Sequence, residues 1–235
     1  MKISIITVVK NDITHIEETL NSCISQSNVN KEIIVVDGLS DDGTSEIIYK
    51  YKDEITLYLR ESDKGIYDAM NKGASHATGD WIIFMNSGDV FYNNDSLEKL
   101  DLDSFRSYSV IACSWAERGA EHEVFHGRNS IRYSMPASHQ SLIIKTELVR
   151  KLMFNIKYRV GADYDLVCRI LKGNEHKLIV LKQPIAIVRP DGYGRNLEIY
   201  LKDYHRIIFN IFGIYPYLKY RLYGILVRCV GMCKS

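Results

Sequence analysis

The 235-residue sequence lacks several features that would assign it to a common class of protein. Its formal net charge is only +1, so no overall field favours nucleic acid or another highly charged partner. Its five cysteines include no pair of CxxC spacings of the kind that holds zinc, which favours a reduced, cytosolic compartment. No run approaches the roughly 20 apolar residues of a membrane-spanning helix, and the apolar stretch after Met1 is too short for a signal peptide.

Two glycine-rich signatures of nucleotide-binding proteins are also missing. The sequence contains no GxxxxGK[ST], which excludes a P-loop, and no GxGxxG after the first predicted strand, so a Rossmann dinucleotide site is not expected. The segment TVVKNDITH also lacks the glycine-rich, basic loop of sugar-1-phosphate nucleotidyltransferases. Other ways of binding a nucleotide remain open.

Apolar patterns in the first part of the chain alternate between strand and helix. Continuous β-branched runs such as ISIITVV and KEIIVVDG predict strands buried on both faces. Each run is followed by a segment with helical spacing, so we expect a parallel sheet covered by helices. The second part is less regular: SVIACSWAE predicts a strand, HQSLIIKTELVRKLM a strand that continues into a helix, and ADYDLVCRILKGNEHKLIVL a helix followed by a strand.

Acidic residues follow three of the predicted strands. Asp37 ends the second strand, Asp63 and Asp68 follow the third, and Asp89 ends the fourth. Because ligands of open parallel sheets bind beyond the carboxyl ends of the strands, we expect these residues to line one crevice. Carboxylates suit a divalent cation that bridges to phosphates, or the hydroxyl and N–H donors of a nucleoside. The alternative at each position is a turn-forming residue without a ligand.

Six segments occur in an order and spacing that is similar to one enzyme family: SIITVVKND, EIIVVDGLSDDGT, DKGIYDAMNKG, WIIFMNSGD, MPASHQSLIIKTEL and GADYDLVCRIL. They resemble the inverting family 2 glycosyltransferases of the GT-A fold, in particular those of bacterial colanic acid, O-antigen and capsule synthesis. The resemblance covers residues 1–190. It implies an α/β fold of the GT-A (Rossmann-like) type, with a mostly parallel central sheet and helices on both faces. Residues 1–95 would form the nucleotide-binding half and residues 96–190 the acceptor half.

The resemblance also implies which residues contact a nucleotide-sugar donor. In the family the Asp of VVDG contacts the nucleotide base, which is Asp37 here, and the strand end from Thr7 to Lys10 lies near the same base. The family's NxGxAxARNxG stretch matches residues 63–73, but its usual arginine is Met70 here. Lys72 is therefore the candidate for a positive charge near the diphosphate, with a solvated helix lysine as the alternative. The remaining expected donor contacts are Asp68, Ser87, His139 and Gln140.

NSGD, residues 86–89, matches the family's metal-binding acidic motif. Asn86 and Gly88 replace two carboxylates that are common there, so the resemblance leaves Asp89 as the expected ligand of Mn²⁺ or Mg²⁺. One carboxylate is physically reasonable, because Mg²⁺ is commonly held by one or two carboxylates together with substrate phosphates and water. The cation would neutralise the leaving nucleoside diphosphate as a Lewis acid.

GADYDL matches the family segment that carries the catalytic base. The resemblance implies Asp163 as the base that deprotonates the acceptor hydroxyl during inverting transfer, with Asp165 as the alternative. Either residue also suits the cap of the helix that begins here. His139 and Gln140 correspond to an HQ pair that recurs in the family, whereas residue type alone also fits a half-buried histidine. Arg189 and Arg195, in RPDGYGRN, are candidates for phosphate contact.

The end of the chain has a different composition. From Tyr204 to Ser235 it contains five Lys or Arg and no acidic residue, among many aromatic and aliphatic side chains. This pattern suits anionic headgroups and acyl chains, so residues 191–235 are expected to form a loop and a helical tail. The tail would attach the protein peripherally to the cytoplasmic, inner face of the plasma membrane, or pack on the core as a C-terminal helix.

The expected function is transfer of a sugar from a nucleotide-sugar donor to a lipid-linked glycan acceptor in surface polysaccharide synthesis. A UDP-sugar is the first choice of donor and a GDP-sugar the second. The alternative is a catalytically inactive protein of the same fold that binds a nucleotide or serves as a scaffold. No nucleic acid partner is expected.

Overall fold

The computed structural model describes residues 1–132, 134–190, 197–214 and 217–218. Within them, nine strands form one sheet: β1 (Ile3–Val9), β2 (Lys31–Asp37), β3 (Leu57–Arg60), β4 (Trp81–Phe84), β5 (Val90–Phe91), β6 (Val110–Glu117), β7 (Ala120–Phe125), β8 (Leu142–Lys145) and β9 (Leu178–Val188). The α-helices are α1 (Ile16–Ile24), α2 (Thr44–Lys50), α3 (Ile66–His76), α4 (Thr146–Leu152), α5 (Ala162–Leu171) and α6 (Leu197–Phe212). Short 3-10 helices cover Leu102–Phe105, His139–Ser141 and Glu175–Lys177.

The strands follow the order β3-β2-β1-β4-β8-β6-β9-β5, with β7 paired to β6. The first four strands are parallel, as the sequence predicts, with Ile5 opposite Ile33 on one side and Ile83 on the other. From β8 onward antiparallel pairs enter, because β8 runs against both β4 and β6. The sheet is therefore mixed, and the expected α/β architecture of the GT-A type is confirmed.

Helices cover both faces of the sheet, which explains the continuous apolar runs of the central strands. Ile6 and Val8 of β1 pack in the cluster that includes residues of α3, α4, α5 and α6. Ile3 and Ile5, on the other face of the same strand, pack with residues of α1 and α2. Alternate residues of β1 thus enter two separate cores, and both must be apolar.

Helix α6 packs on the domain as an integral element. Ile207 and Ile208 are fully buried, and the ring of Tyr204 stacks on Tyr164 of α5 with 4.3 Å between centroids. Asp203 is buried and accepts hydrogen bonds from the backbone N–H groups of residues 159 and 160. The expected tail thus begins with a helix that belongs to the core, while residues 191–196, 215–216 and 219–235 lie outside the described residues.

None of the helices in the described ranges combines the length and the apolar character that crossing a membrane requires.

Candidate active site

A cavity of about 430 Å³ opens where β1 ends and α3 begins. Its walls are the end of β1 with Lys10, the loop and first turn of α3 with Asp63 and Asp68, and the loop before α5 with Arg159. A volume of this size is typical of small-molecule sites. Two of the expected donor contacts, Lys10 and Asp68, thus line the cavity.

Asp63 and Asp68 also fix the turn from which α3 starts. Asp63 Oδ1 accepts a hydrogen bond from the backbone N–H of Gly65 at 2.8 Å, and Asp68 Oδ2 accepts one from Lys64 N–H at 2.9 Å. Carboxylates at this position satisfy N–H groups that the first helical turn leaves unpaired. The turn that holds the cavity wall is therefore rigid and acidic.

Asp37 and Thr7 lie beneath the surface of the crevice. Asp37 is 0% exposed; its Oδ1 accepts hydrogen bonds from the N–H and hydroxyl of Ser40, and its Oδ2 accepts one from Tyr58. Thr7 is fully buried within β1. The structure brings neither side chain to the cavity wall, so their contact with a base stays a prediction.

Lys72 is engaged within the protein. Its Nζ donates to the carbonyl of Ser62 and lies 3.2 Å from Glu61 Oε1 and 3.9 Å from Asp68 Oδ2. Met70, at the position of the family's arginine, is 1% exposed and packs in the core. Lys72 therefore has carboxylate partners of its own, and its role near a diphosphate stays a prediction.

The NSGD turn after β4 holds Asp89 from two sides. Asp89 is 5% exposed; its Oδ2 accepts a 2.6 Å hydrogen bond from Gln140, and its Oδ1 accepts a 2.9 Å bond from the backbone N–H of Arg189. Burial raises the pKa of Asp89 to about 6, against the opposing effect of these bonds. Gly88 has φ +94°, and a Cβ there would lie 2.0 Å from Arg189 Cδ. The Arg189 side chain thus lies directly over the turn.

Ser87 connects the same turn to the loop after β1. Its hydroxyl donates to Asp12 Oδ2 at 2.8 Å, and Arg189 Nη1 lies 3.2 Å from the same oxygen. Asp12 Oδ1 is 2.6 Å from His15 Nδ1. The sequence interpretation missed Asp12, although it follows the first strand directly in the segment KND. Arg195, the other candidate for phosphate contact, lies outside the described residues.

Asp163 lies in the first turn of α5 and is buried apart from 16% of its side chain. Its Oδ1 accepts a 2.8 Å hydrogen bond from the Tyr164 N–H and lies 3.3 Å from the Tyr67 hydroxyl. Burial raises the pKa of the Asp163 carboxyl to about 6. A carboxyl with such a pKa is ionised at neutral pH and is a stronger base than an ordinary aspartate, which suits proton abstraction.

His139 and its neighbour Gln140 lie between Asp163 and Asp89, the two acidic residues of the site. His139 Nδ1 lies 3.8 Å from Asp163 Oδ2, and its Nε2 lies 2.9 Å from the side-chain nitrogen of Asn86. Burial lowers the pKa of His139 to about 4, so the ring is neutral at pH 7. The adjacent residue, Gln140, contacts Asp89. The HQ pair therefore joins the NSGD turn to the start of α5, and four predicted site residues converge here.

Asp165 is placed differently. It is 4% exposed, and its Oδ2 forms a 2.7 Å ion pair with Arg169 Nε. Arg169 in turn donates to the carbonyls of Leu152 and Met153, at the end of α4. Asp165 thus takes part in attaching α5 to α4, so the geometry favours Asp163 over Asp165 as the base.

The residues present fit a cation held by a single carboxylate. Among the described residues there is no group of three His, Cys, Asp or Glu side chains that could hold a metal, so a cage made by the protein alone is not available there. Each carboxylate oxygen of Asp89 accepts one hydrogen bond and keeps a second lone pair for a cation. The buried Oδ1 of Asn86 in the same turn accepts no hydrogen bond in the described part of the chain. Oxygen donors of this kind suit Mn²⁺ or Mg²⁺ when phosphates and water complete the shell.

The sequence matches a family model and several known proteins. The family model described as Glycosyl transferase family 2 matches residues 4–163. A PGL/p-HBAD biosynthesis glycosyltransferase of Mycobacterium bovis is 26% identical over 162 residues, which are 64% of this chain and 62% of that protein. TuaG of Bacillus subtilis, a glycosyltransferase named for teichuronic acid biosynthesis, is 35% identical over 122 residues, 47% of this chain and 48% of TuaG. The match to these curated relatives thus spans less than two thirds of their length.

Solved structures show the same fold. S. aureus TarS 1–349 in complex with UDP-GlcNAc matches with a TM-score of 0.69 and 19% identity, over 90% of this chain and 65% of that one. The mannosyltransferase PcManGT of Pyrobaculum calidifontis, in complex with GDP-Man and Mn²⁺, matches with a TM-score of 0.65 and 20% identity, over 87% and 63% of the two chains.

Proposed function

The chain belongs to glycosyl transferase family 2, and we propose that it transfers a sugar from a nucleotide-sugar donor to an acceptor hydroxyl with inversion at the anomeric carbon. In this reaction the acceptor oxygen forms a bond to the anomeric carbon while the bond from that carbon to the diphosphate oxygen breaks. The acceptor proton passes to Asp163, and the nucleoside diphosphate leaves. No covalent intermediate on the protein is needed.

The observation that carries this proposal is the environment of Asp163. The carboxyl is largely buried, has a raised pKa and is linked through His139 to the turn that carries Asp89. An inverting transfer needs one carboxylate opposite the leaving group, and a base of this kind contributes about 10²–10⁴-fold to the rate. Tyr67 lines the cavity and contacts Asp163, so the proposed base lies next to the cavity wall.

A UDP-sugar is the preferred donor, and a GDP-sugar is the second choice. TarS has been solved with UDP-GlcNAc and PcManGT with GDP-Man, so this fold accommodates both classes of nucleotide. The cavity wall of Lys10, Asp63 and Asp68 offers charged donors and acceptors to a base, a ribose or a phosphate. The other expected donor contacts are part of the same proposal: Thr7, Asp37, Lys72, Ser87, His139 and Gln140.

Asp89 would hold Mn²⁺ or Mg²⁺ together with phosphate oxygens of the donor. When bound, the cation stabilises negative charge on the leaving diphosphate. The chain contributes the position of Asp89, which Gln140 and the Arg189 backbone fix through hydrogen bonds. Because a single carboxylate binds a cation weakly, metal and donor should bind together.

A lipid-linked glycan is the proposed acceptor, with the protein attached peripherally to the inner face of the plasma membrane. TuaG is named for the biosynthesis of teichuronic acid. Near the end of the described chain, Phe209, Ile214 and Leu218 are 49%, 64% and 50% exposed. An exposed apolar group of this kind, followed by basic residues, suits an anionic membrane surface.

The membrane part of the proposal is tested by co-sedimentation with anionic liposomes. Truncation after Ile214 keeps the buried residues of α6, whereas truncation after Asp203 would remove part of the core. The full chain should bind in a salt-sensitive manner and the shortened chain should bind less. Equal binding of the two would contradict attachment through this segment.

The enzymatic part is tested by incubating UDP-sugars and GDP-sugars with the protein, with and without Mn²⁺, and measuring the release of nucleoside diphosphate. We expect release from one donor class that depends on the cation and falls at least about 100-fold in Asp163→Asn. The alternative, an inactive nucleotide-binding or scaffold protein, predicts a donor-dependent rise in melting temperature without release from any donor.

A further inference from the structure

Tyr67 lies between the cavity and the proposed base. It belongs to the first turn of α3 and lines the cavity. Its single hydroxyl proton is shared between two acceptors, the carbonyl of Val160 at 2.6 Å and Asp163 Oδ1 at 3.3 Å. Its ring stacks on Phe154 with 5.5 Å between centroids. The ring and the hydroxyl are thus held independently, so the hydroxyl has a fixed position beside the carboxylate.

Few other groups fix the Asp163 carboxylate. The Tyr164 N–H binds Oδ1 at 2.8 Å, as expected at the start of a helix. His139 approaches Oδ2 only to 3.8 Å and is neutral at pH 7, because burial lowers its pKa to about 4. Among the described residues, the side-chain hydroxyl that contacts this carboxylate is therefore that of Tyr67.

Two carboxylates near this position are engaged elsewhere, and the charged side chain of Arg159 lines the cavity. Asp165, on the same helix, pairs with Arg169. Asp203 of α6 accepts hydrogen bonds from the backbone N–H groups of Arg159 and Val160. Within the described ranges, no Lys or Arg forms an ion pair with Asp163. The contact that orients its carboxylate from α3 is therefore the hydrogen bond from the neutral Tyr67 hydroxyl.

We propose that Tyr67 is a positioning residue for transfer, whose hydroxyl holds the Asp163 carboxylate in the orientation that accepts the proton of the acceptor. The inference rests on the proposed role of Asp163 as base. Because a hydrogen bond to an ionised acceptor is stronger than one to a neutral acceptor, Tyr67 also favours the ionised form of Asp163. A residue that acts in this way changes the pH dependence of transfer, whereas a merely structural residue changes stability.

Tyr67→Phe tests the inference, because it removes the hydroxyl and keeps the ring on Phe154. Without the hydroxyl the pKa of Asp163 rises, so the acid limb of kcat/KM should move up by roughly half to one pH unit. At pH 7 kcat should fall about 3–10-fold while the donor KM stays close to wild type. The matched control is Tyr51→Phe, which removes a hydroxyl that donates to Glu17 between α2 and α1; it should shift neither quantity.

A direct titration of Asp163 by carbon-13 NMR gives the same answer without turnover. We expect its pKa to be higher in Tyr67→Phe than in wild type and unchanged in Tyr51→Phe. An unshifted titration together with an unshifted acid limb would overturn the inference, even if Tyr67→Phe were less stable. If Asp163→Asn retains transfer, the proposed base itself is wrong; if Asp163→Asn is inactive and Tyr67→Phe is unshifted, only the role of Tyr67 is wrong.

Discussion

Replacing Asp163 or Asp165 by asparagine should separate catalysis from stability. The pKa of Asp163 rises from 3.8 to about 6 through burial, so the carboxylate is still ionised at pH 7, but its charge costs free energy in the folded protein relative to the unfolded chain. One pKa unit corresponds to ~1.4 kcal/mol, so Asp163→Asn should stabilise the fold at pH 7 by on the order of 1–3 kcal/mol. The same change removes the proposed base, and the rate should fall about 10²–10⁴-fold.

Asp165→Asn is the matched control on the same helix. Asparagine keeps the volume and one acceptor for Arg169, and burial already raises the pKa of Asp165 in spite of that ion pair. We therefore expect transfer within about 3-fold of wild type and a stability change of about 1 kcal/mol or less. Nucleoside diphosphate release and thermal unfolding of both variants provide the two readouts. If Asp165→Asn loses as much activity as Asp163→Asn, or if Asp163→Asn keeps a third of it, the assignment of the base is wrong.

Three further changes test the fold around the site. Burial raises the pKa of Glu32, but hydrogen bonds from Lys2, Ser4 and Thr78 outweigh it and lower the pKa from 4.5 to about 2. This gives about 3 kcal/mol of stability, which is present above pH 4.5 and lost as the pH falls towards 2. In urea unfolding between these pH values, the free energy of unfolding of Glu32→Gln should therefore depend less on pH than that of the wild type. In Gly73→Ala the new Cβ would lie 2.5 Å from Ile6 Cγ2, and we expect a loss of about 1–3 kcal/mol in the same assay. Ile208→Ala, at a fully buried position, should lower the free energy of unfolding by about 2–5 kcal/mol. Phe209→Ala, at the neighbouring position that is 49% exposed, should lower it much less. Equal losses in the two variants would mean that α6 does not pack on the core.

The sequence predicts the central strands well because their environment imposes a simple pattern. β1, β2 and β4 are buried on both faces, and only an uninterrupted apolar run satisfies that position. β5 has two residues and is recognisable only by its pairing with β9. β7 pairs with β6 alone, and its residues AEHEVF carry charges and no continuous apolar run, so nothing in the sequence marks it as a strand.

The site shows a similar division. The resemblance points to Asp89, His139, Gln140 and Asp163, and the structure brings these four into one chain of contacts. The resemblance does not reveal that Asp37 already accepts hydrogen bonds from Ser40 and Tyr58 and lies 3.4 Å from Arg60 Nε, because a sequence does not say which carboxylates have partners within the protein. Tyr67 was also missed, since its contact with Asp163 spans 96 residues.

For helix α6, the amino-acid composition and the spacing of the apolar residues lead to different expectations. The basic, acid-free character from Tyr204 onward led to an expectation of a membrane-binding tail. The spacing of Tyr204, Ile207, Ile208 and Ile211 is that of a helix with one apolar face, and all four residues are buried. One helix can combine core packing with membrane binding, because its apolar face packs on the protein core while its exposed face can contact a membrane.

The stereochemistry of the product tests the proposed reaction most directly. Proton NMR can follow the anomeric signal of the sugar that is first released or transferred when the protein is incubated with Mn²⁺ and an α-linked donor such as UDP-glucose, UDP-GlcNAc or GDP-mannose. Inverting transfer with Asp163 as base predicts that the β anomer forms first from the accepted donor, and that Asp163→Asn does not form it. An α anomer formed first by the wild-type protein would contradict inversion and, with it, the role of Asp163.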